Sequence, residues 1–575
     1  MDAKQTKIVL GSIFLLFLIW LAVPLFGRRA GVPGAAEQIQ ARFDAAQALL
    51  NTRDFVTHHP RRVIGSIEAR QSTGFLQKRF QELGYATSYA HFDATISGRR
   101  QVGRNIYAFK QGQTTQIPAV VAHYDTAGTT VQGAMDDGSG VGVLLELARL
   151  TSALPTRRSL LFIASDGEEW GMLGVRDLVA NYSQRDRIAA VISLDYVAIG
   201  ELAELRLDEV GQMGGYTPPW LRRLARRCAE QEGVPVSEPA GFREHLERAL
   251  LLSWTDQGPF LKAGTPAINL SGSARDGARE YRVYHSAQDT IENMNVESFA
   301  KYGRAAECIL CNLDALPAIP QESEGALRAV DNIFLPGFLV VLCQILSFVP
   351  FMIIVSFHVA NHWQYITLER VQREASSFLG TIFPFLLIFP IIRMLAYLRQ
   401  LPRYSFYPAT PKDPVLQHPA WGVALGILIP ALATAVGCWF LVRFLNRKLP
   451  RADFHVSKSI LLVFFLSVVM LALIYNSYWA ASFLLLPALF WGLVGFSSGA
   501  GARAANRIII LVVGSLCVMV SGSCFAHLGL GWNLFWYEVL ALSTGMFSWQ
   551  AYLLSSATMT LGIRFLLIQS QGAVD

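Results

Sequence analysis

Hydrophobic and polar positions divide the chain into three stretches. Ile8 to Phe26 is a run of 19 residues without a charge, bracketed by Lys4 and Lys7 before it and Arg28 and Arg29 after it. At 1.5 Å rise per residue a helix of that length just crosses a hydrocarbon core of ~30 Å. It is longer than the about 7–15 apolar residues of a cleaved signal. The run therefore predicts an uncleaved signal anchor within residues 1–30. From Gly31 to Pro320 short apolar runs alternate with amphipathic stretches. Asn105–Lys110, Ala119–Asp125, Ser159–Ser165, Ala190–Asp195 and Pro266–Leu270 read as buried strands. Thr73–Leu83, Gly140–Leu150, Pro219–Gln231 and Val296–Leu313 read as helices. Strands alternating with helices predict an α/β fold, a mostly parallel central sheet flanked by helices, over residues 31–320.

Beyond Asp331 the pattern changes. Apolar spans occur near 333–357, 377–398, 421–444, 457–476, 479–498, 507–527 and 535–567. With the first they make eight. The last contains Gly545 and is long enough for two short spans. Residues 332–575 thus predict an all-α polytopic membrane domain of about seven helices.

Composition agrees with a large membrane portion. The chain has 575 residues, 52% hydrophobic and 16% charged, against roughly 25% charged in soluble proteins. The net charge of +6 is unevenly spread: from Asp331 onward there are 14 Lys+Arg and 7 Asp+Glu, before it 35 and 36. The basic excess belongs to the membrane half, which makes the lipid bilayer the expected partner and gives no reason for nucleic acid. With a cytoplasmic N-terminus, the inside loops hold Arg370 and Arg373; Arg447, Lys448 and Arg451; and Arg503 and Arg507. The outside loops hold Arg399, Arg403 and Lys412. This bias puts the soluble domain on the non-cytoplasmic side: periplasmic, extracellular or in an organelle lumen. The seven cysteines predict no disulfide framework. Cys308-x-x-Cys311 falls inside a predicted helix with no second pair nearby and reads as structural.

Predicted strand ends and the loops after them finish in potential metal ligands. They are His123-Tyr124-Asp125, Asp136-Asp137-Gly138-Ser139-Gly140, Asp166-Gly167-Glu168-Glu169, Leu194-Asp195 and Tyr284-His285-Ser286-Ala287-Gln288-Asp289. Sites in open α/β sheets form beyond the carboxyl ends of the strands. Carboxylates gathered there repel one another unless a cation neutralises them. Imidazole and carboxylate ligands without cysteine suit zinc in a hydrolytic site, and a bridging carboxylate suits two ions roughly 3.5–4 Å apart.

In that order the motifs H-x-D, D-D-G-x-G, D-G-E-E, L-D and Y-H-[ST]-x-x-D resemble the di-zinc aminopeptidase family of the MH clan. The resemblance covers about Phe55 to Leu313 and includes Arg104-Asn105-Ile106-Tyr107-Ala108 before the first motif. It implies two Zn2+ per chain, His123 and Asp195 on one, Glu169 and His285 on the other, with Asp136 bridging. It further implies Asp125 orienting His123, Asp137 holding the turn and Glu168 as general base. Tyr284 is implied as a candidate for stabilising the oxyanion. The activity implied is release of N-terminal residues from a peptide or protein. The chain departs from the pattern at Thr255-Asp256-Gln257-Gly258-Pro259-Phe260, where many relatives have His in place of Gln257. The charged stretch Arg275–Arg282 reads as a solvated loop or a rim of the substrate cleft. Glutaminyl cyclases share the fold, but they typically have D-S where this chain has Asp136-Asp137. A receptor or scaffold that has lost its ligands and a transporter with an attached domain are the other readings weighed.

The peptidase-plus-spans arrangement resembles the endoplasmic-reticulum metallopeptidase type in architecture. Arg393, Arg443 and Arg564, near predicted span ends, are expected to snorkel. Glu538 begins the last span, in a snorkelling or helix-pairing role. Gly422-x-x-x-Gly426 would allow close helix approach.

Overall fold

The structure, a computed structural model, describes residues 3–31, 41–96, 99–207, 215–250, 255–321, 325–398, 400–401, 416, 418–451, 453–494, 504–515, 531–544 and 548–571. It contains two compact units, one built from Gly27–Phe338 and one from the apolar helices on either side of it in sequence.

The strands of the first unit are β1 (Arg28–Arg29), β2 (Ala86–Ile96), β3 (Arg99–Lys110), β4 (Ile117–His123), β5 (Leu160–Ser165), β6 (Ile188–Leu194), β7 (Leu202–Arg206), β8 (Val236–Ser237), β9 (Ala267–Ala274), β10 (Leu327–Val330) and β11 (Ile333–Leu335). Eight of them form one sheet in the order β2-β3-β5-β4-β6-β9-β7-β8. The central strands β5, β4, β6 and β9 run parallel. The outer pairings β2–β3, β3–β5 and β7–β9 are antiparallel, and β7–β8 is parallel. The sheet is thus parallel at its centre and mixed toward its edges.

Every residue of β4, β5 and β6 is buried, as expected of strands covered on both faces. Alternation splits their side chains between two cores. Val120, Ala122, Phe162, Ala164, Ile192 and Leu194 join the core that includes Leu144, Leu147, Tyr302 and Ile309. Val121, Ile163 and Val191 join the one that includes Val175, Leu178 and Phe260. Helices on both faces hold the sheet so that the carboxyl ends of β4, β5 and β6 open in one direction.

Two expectations are corrected in this unit. Cys228, in helix Pro219–Gln231, is disulfide-bonded to Cys308, in helix Val296–Ala315, with their Cα atoms 5.7 Å apart. The two lie 80 residues apart in sequence, and only the packing of the two helices brings them together. Cys311 is free. In addition, the predicted span from 333 begins as a strand: β11 pairs with β1 and β10 in a three-stranded sheet, and helix starts at Gly337. Pro336 separates the two, lacking the N–H that strand pairing would use.

In the second unit, six described helices are long and apolar enough to cross a membrane: Ala3–Phe26, Gly337–Tyr365, Leu368–Tyr397, Trp421–Leu445, Phe454–Tyr475 and Trp549–Gln569. The described part of the expected span 479–498 is two short helices, Ser477–Phe483 and Leu485–Leu493, and residues 495–498 lie outside the described residues. Helix is described over Ala504–Ser515, and residues 516–527 of the expected span lie outside the described residues. The last expected span is two helices, Leu534–Thr544 and Trp549–Gln571, and Gly545 lies outside the described residues. Arg503, Arg399, Arg403 and Lys412 also lie outside them.

Gly422 and Gly426 have open space around them. Close approach occurs at Gly380, where a Cβ would come within 2.2 Å of Val442. Arg564 does not snorkel: it pairs with buried Glu374 at 2.7 Å, and Ser457 donates to the other carboxylate oxygen at 2.8 Å. A carboxylate inside a helix bundle is stable only when paired in this way. Arg393 donates to the carbonyl of Ser543 at 2.7 Å, and the Arg443 guanidinium lies 5.3 Å from the Trp439 ring centre. Glu538 is exposed.

Candidate metal centre

Each ligand candidate stands at or just beyond a strand end. His123 is the last residue of β4, and Glu168 and Glu169 follow β5 in a short 3-10 turn. Asp195 directly follows β6. Asp136 and Asp137 lie in the turn that opens helix Gly140–Ser152, and the peptide bond between them is cis. His285, with φ of 50°, follows helix Gly277–Val283.

The fold converges these segments on one point. His123 Nε2 is 3.1 Å from Asp136 Oδ1, and His285 Nε2 is 2.8 Å from Asp136 Oδ2. His285 Nε2 is also 3.1 Å from Glu169 Oε2. Two groups that could each hold a metal ion result, His123–Asp136–Asp195 and Asp136–Glu169–His285, with the donor atoms of each within 4.8 Å of one another. All five residues are buried, and the two groups share Asp136. Two imidazoles and three carboxylates without sulfur form a donor set that fits zinc.

The surrounding groups hold this arrangement. Asp125 Oδ1 lies 3.4 Å from His123 Nδ1 and accepts the backbone N–H of Glu168 at 3.0 Å. Glu168 Oε2 is 3.9 Å from His123 Nε2. Asp137 accepts the N–H of Gly140 at 2.8 Å, pinning the helix start. Asp195 accepts from the Ser271 hydroxyl at 3.0 Å, and Glu169 accepts the N–H of Ala127 at 3.0 Å. The ring of Tyr284 stacks on that of His285 at 3.9 Å and tilts against Tyr196 at 5.7 Å.

Charge in the site is strongly negative. Burial raises the pKa of Glu168 and Glu169 and lifts that of Asp195 to about 7, with neighbouring carboxylates adding to it. Burial also works against protonation of the imidazoles. Even so, the carboxylates around them push His123 well above its usual value and His285 up to about 10. Asp136 is held below the carboxylate range, by hydrogen bonds from His123 and His285 that outweigh its burial. Such a collection of acids is the electrostatic counterpart of bound cations.

Three residues that sequence reasoning did not assign also shape the site. Asp289 accepts the N–H groups of Met135 and Asp136 at 2.7 and 3.1 Å. Arg62 is fully buried and donates to the carbonyls of Tyr124, His59, Gln132 and Gly133, at 2.6, 2.8, 2.7 and 3.1 Å. Asp256 is buried, accepts from the Ser165 hydroxyl, and is lifted to about 7 by burial. Asp256 and Asp289 each lie in a quoted motif. Arg62 follows Pro60 and Arg61 in a loop, with no local pattern to distinguish it. Gln257, at the departure from the pattern, is also buried. Arg275–Arg282 contributes a short helix. Arg275 pairs with Glu201 at 2.8 Å on the surface.

Residues 105–309 match Peptidase family M28. The chain is 26% identical to the alkaline phosphatase isozyme conversion protein of Escherichia coli K12 over 249 residues, 38% of this chain and 70% of that protein. It is 26% identical to aminopeptidase YwaD of Bacillus subtilis over 212 residues, 35% of this chain and 43% of that protein, less than half its length. Among solved structures, BSAP, a zinc aminopeptidase from Bacillus subtilis, aligns over 47% of this chain and 95% of its own at 17% identity, with a TM-score of 0.40. Residues 105–309, which lie between the first apolar helix and the later ones, are thus similar to peptidase family M28.

Proposed function

We propose that the protein is a membrane-bound di-zinc aminopeptidase. The observation that carries this reading is the pair of buried ligand groups meeting at Asp136. On this reading His123 and Asp195 hold one zinc and Glu169 and His285 the other, with Asp136 between them. Bound zinc supplies Lewis acidity to the scissile carbonyl and lowers the pKa of water.

The remaining steps belong to side chains of this chain. Glu168 is the general base: it sits beside the ligands and its backbone is fixed by Asp125. Burial raises its pKa, toward the range in which a carboxylate accepts a proton from water and returns it to the leaving amine. Asp125 positions Glu168 and His123 together. Tyr284, its ring anchored on His285, is the candidate donor to the oxyanion. The substrate is the free N-terminus of a peptide or protein, and the lipid bilayer is the second partner.

The catalytic unit is assigned to the non-cytoplasmic side. The Arg and Lys bias of the loops supports this, as does the Cys228–Cys308 disulfide, since disulfides persist mainly in oxidising compartments.

The test is zinc per chain in mild detergent, combined with mass spectrometry of a peptide library. Close to two zincs with stepwise N-terminal trimming is expected. Cyclised N-terminal glutamine as product would replace hydrolysis by glutaminyl cyclisation. No zinc and no turnover after remetallation would leave a receptor or scaffold.

A further inference from the structure

A second concentration of charge, opposite in sign to the metal centre, lies where the soluble unit joins its tethers. Arg222 donates to Glu238 at 2.8 Å and to Glu244 at 3.1 Å. Arg226 also pairs with Glu238, and Arg328 lies 3.4 Å from it. Arg248 donates to Glu244 at 3.2 Å. Among the described residues, two carboxylates are thus shared by four guanidiniums.

The small sheet adds a fifth. Arg28 and Arg328 both stand opposite Phe334 in their strands. Directly opposed residues point to the same face, so the three side chains form one row. The Arg222 guanidinium lies 5.1 Å from the centre of the Phe334 ring. The side chains of Glu238 and Glu244 are covered. Arg28 is exposed, and Arg226 and Arg328 keep 21% and 9% of their side-chain surface. Burial lowers the pKa of Arg328. Glu238 opposes this, while Arg226 and Arg222 add to it. Arg28 and, in part, Arg226 are the members of the cluster that reach its outer side.

Its place in the chain identifies what it meets. Arg28 is the second residue after Phe26, where the first apolar helix ends, and Phe334 comes three residues before Gly337, where the next begins. Two extended residues reach at most about 7 Å, comparable to the polar layer of a bilayer leaflet.

We propose that Arg28, Arg226 and Arg328 bind the phosphate of an anionic phospholipid headgroup. Guanidinium groups match phosphate oxygens in paired hydrogen bonds. A phosphate there would add negative charge beside the exposed Arg28 and the partly exposed Arg226.

The experiment uses the full chain in detergent, with native mass spectrometry after adding phosphatidylglycerol or phosphatidylcholine of identical acyl chains. The wild type is expected to retain phosphatidylglycerol in preference to phosphatidylcholine. Arg28→Gln, an exposed substitution, should weaken that retention about fivefold, and Arg28→Gln with Arg226→Gln by about the same factor again. An unchanged Cys228–Cys308 disulfide and thermal midpoint in Arg28→Gln certify its fold. Equal retention of both lipids, undiminished retention in the double variant, or complete displacement by millimolar inorganic phosphate would each overturn the proposal.

Discussion

The carboxylate of Asp289 accepts the backbone N–H of Asp136, the residue shared by both ligand groups, and that of Met135 as well. Asp136, the ligand proposed to be shared, is therefore fixed through its main chain by a residue four positions beyond His285. Asp289→Asn keeps one acceptor oxygen and turns an NH2 toward the second N–H. Zinc affinity in a chelator competition should fall about 10–100-fold, the usual effect of removing a group that orients a ligand. An unchanged affinity would reduce Asp289 to a loop support.

The Glu168 carboxylate stands 3.9 Å from His123 Nε2. Glu168→Gln should keep both zincs and lower kcat by about 10²–10⁴-fold. Near-normal turnover in a fully metallated variant would remove Glu168 from the base role.

Arg62 donates to four backbone carbonyls, three of them (Tyr124, Gln132 and Gly133) in the loop between His123 and Asp136. Arg62→Met leaves those buried acceptors without their donor, at about 1–3 kcal/mol for each that water cannot reach. The thermal midpoint and zinc occupancy should drop together. Arg62→Lys, a point charge without the planar fork, should fall between. Metal occupancy that survives a large fall in midpoint would confine Arg62 to stability.

Metal removal should give the protein an inverted pH profile. In the metal-free site Asp195 and Asp256 are lifted to about 7 from an unfolded value near 3.8. The native state then holds protons that the unfolded chain has released, so stability falls as pH rises through that window. His285, raised to about 10 from 6.5, contributes stability fully present below 6.5 and lost as pH climbs toward 10, the same direction. Zinc reverses the trend, because its ligands bind it deprotonated. Melting curves of chelated and zinc-loaded protein between pH 5 and 9 should diverge progressively. Parallel curves would contradict a metal site built from these acids.

Non-reducing peptide mapping should recover Cys228 linked to Cys308. Cys228→Ala should cost about 2–5 kcal/mol of stability, given the long loop closed. Protein isolated under thiol-blocking conditions with both cysteines reduced would argue against an oxidising location for this unit.

Much of the site is legible in the sequence, for a specific physical reason. A metal ligand is chosen by side-chain chemistry, and the parallel strands place His123, Glu169 and Asp195 at chain positions that periodicity alone locates. Arg62 is hidden because its partners are backbone carbonyls, which have no letter in the sequence. Asp289 was visible as part of a motif, but its task was not. Cys228 and Cys308 are joined by the packing of two helices, a relation that spacing does not encode. In the membrane half, hydropathy marks Phe454–Tyr475 closely but does not reveal that the described part of 479–498 is two short helices. Hydropathy also cannot see that Ile333–Leu335 pairs with Arg28–Arg29, because an apolar strand and the first turn of an apolar helix look alike.

That pairing has a consequence for how the gene could be rearranged. The N–H of Ala30 donates to the carbonyl of Asn332, and the Asn332 side-chain amide returns a bond to Ala30, at 3.3 and 3.2 Å. The soluble unit enters and leaves through adjacent residues, as inserted domains do. It behaves as a cassette: removing residues 31–331 would leave two ends already in contact, ready for a short linker. A foreign domain with neighbouring termini should be accepted at the same two positions.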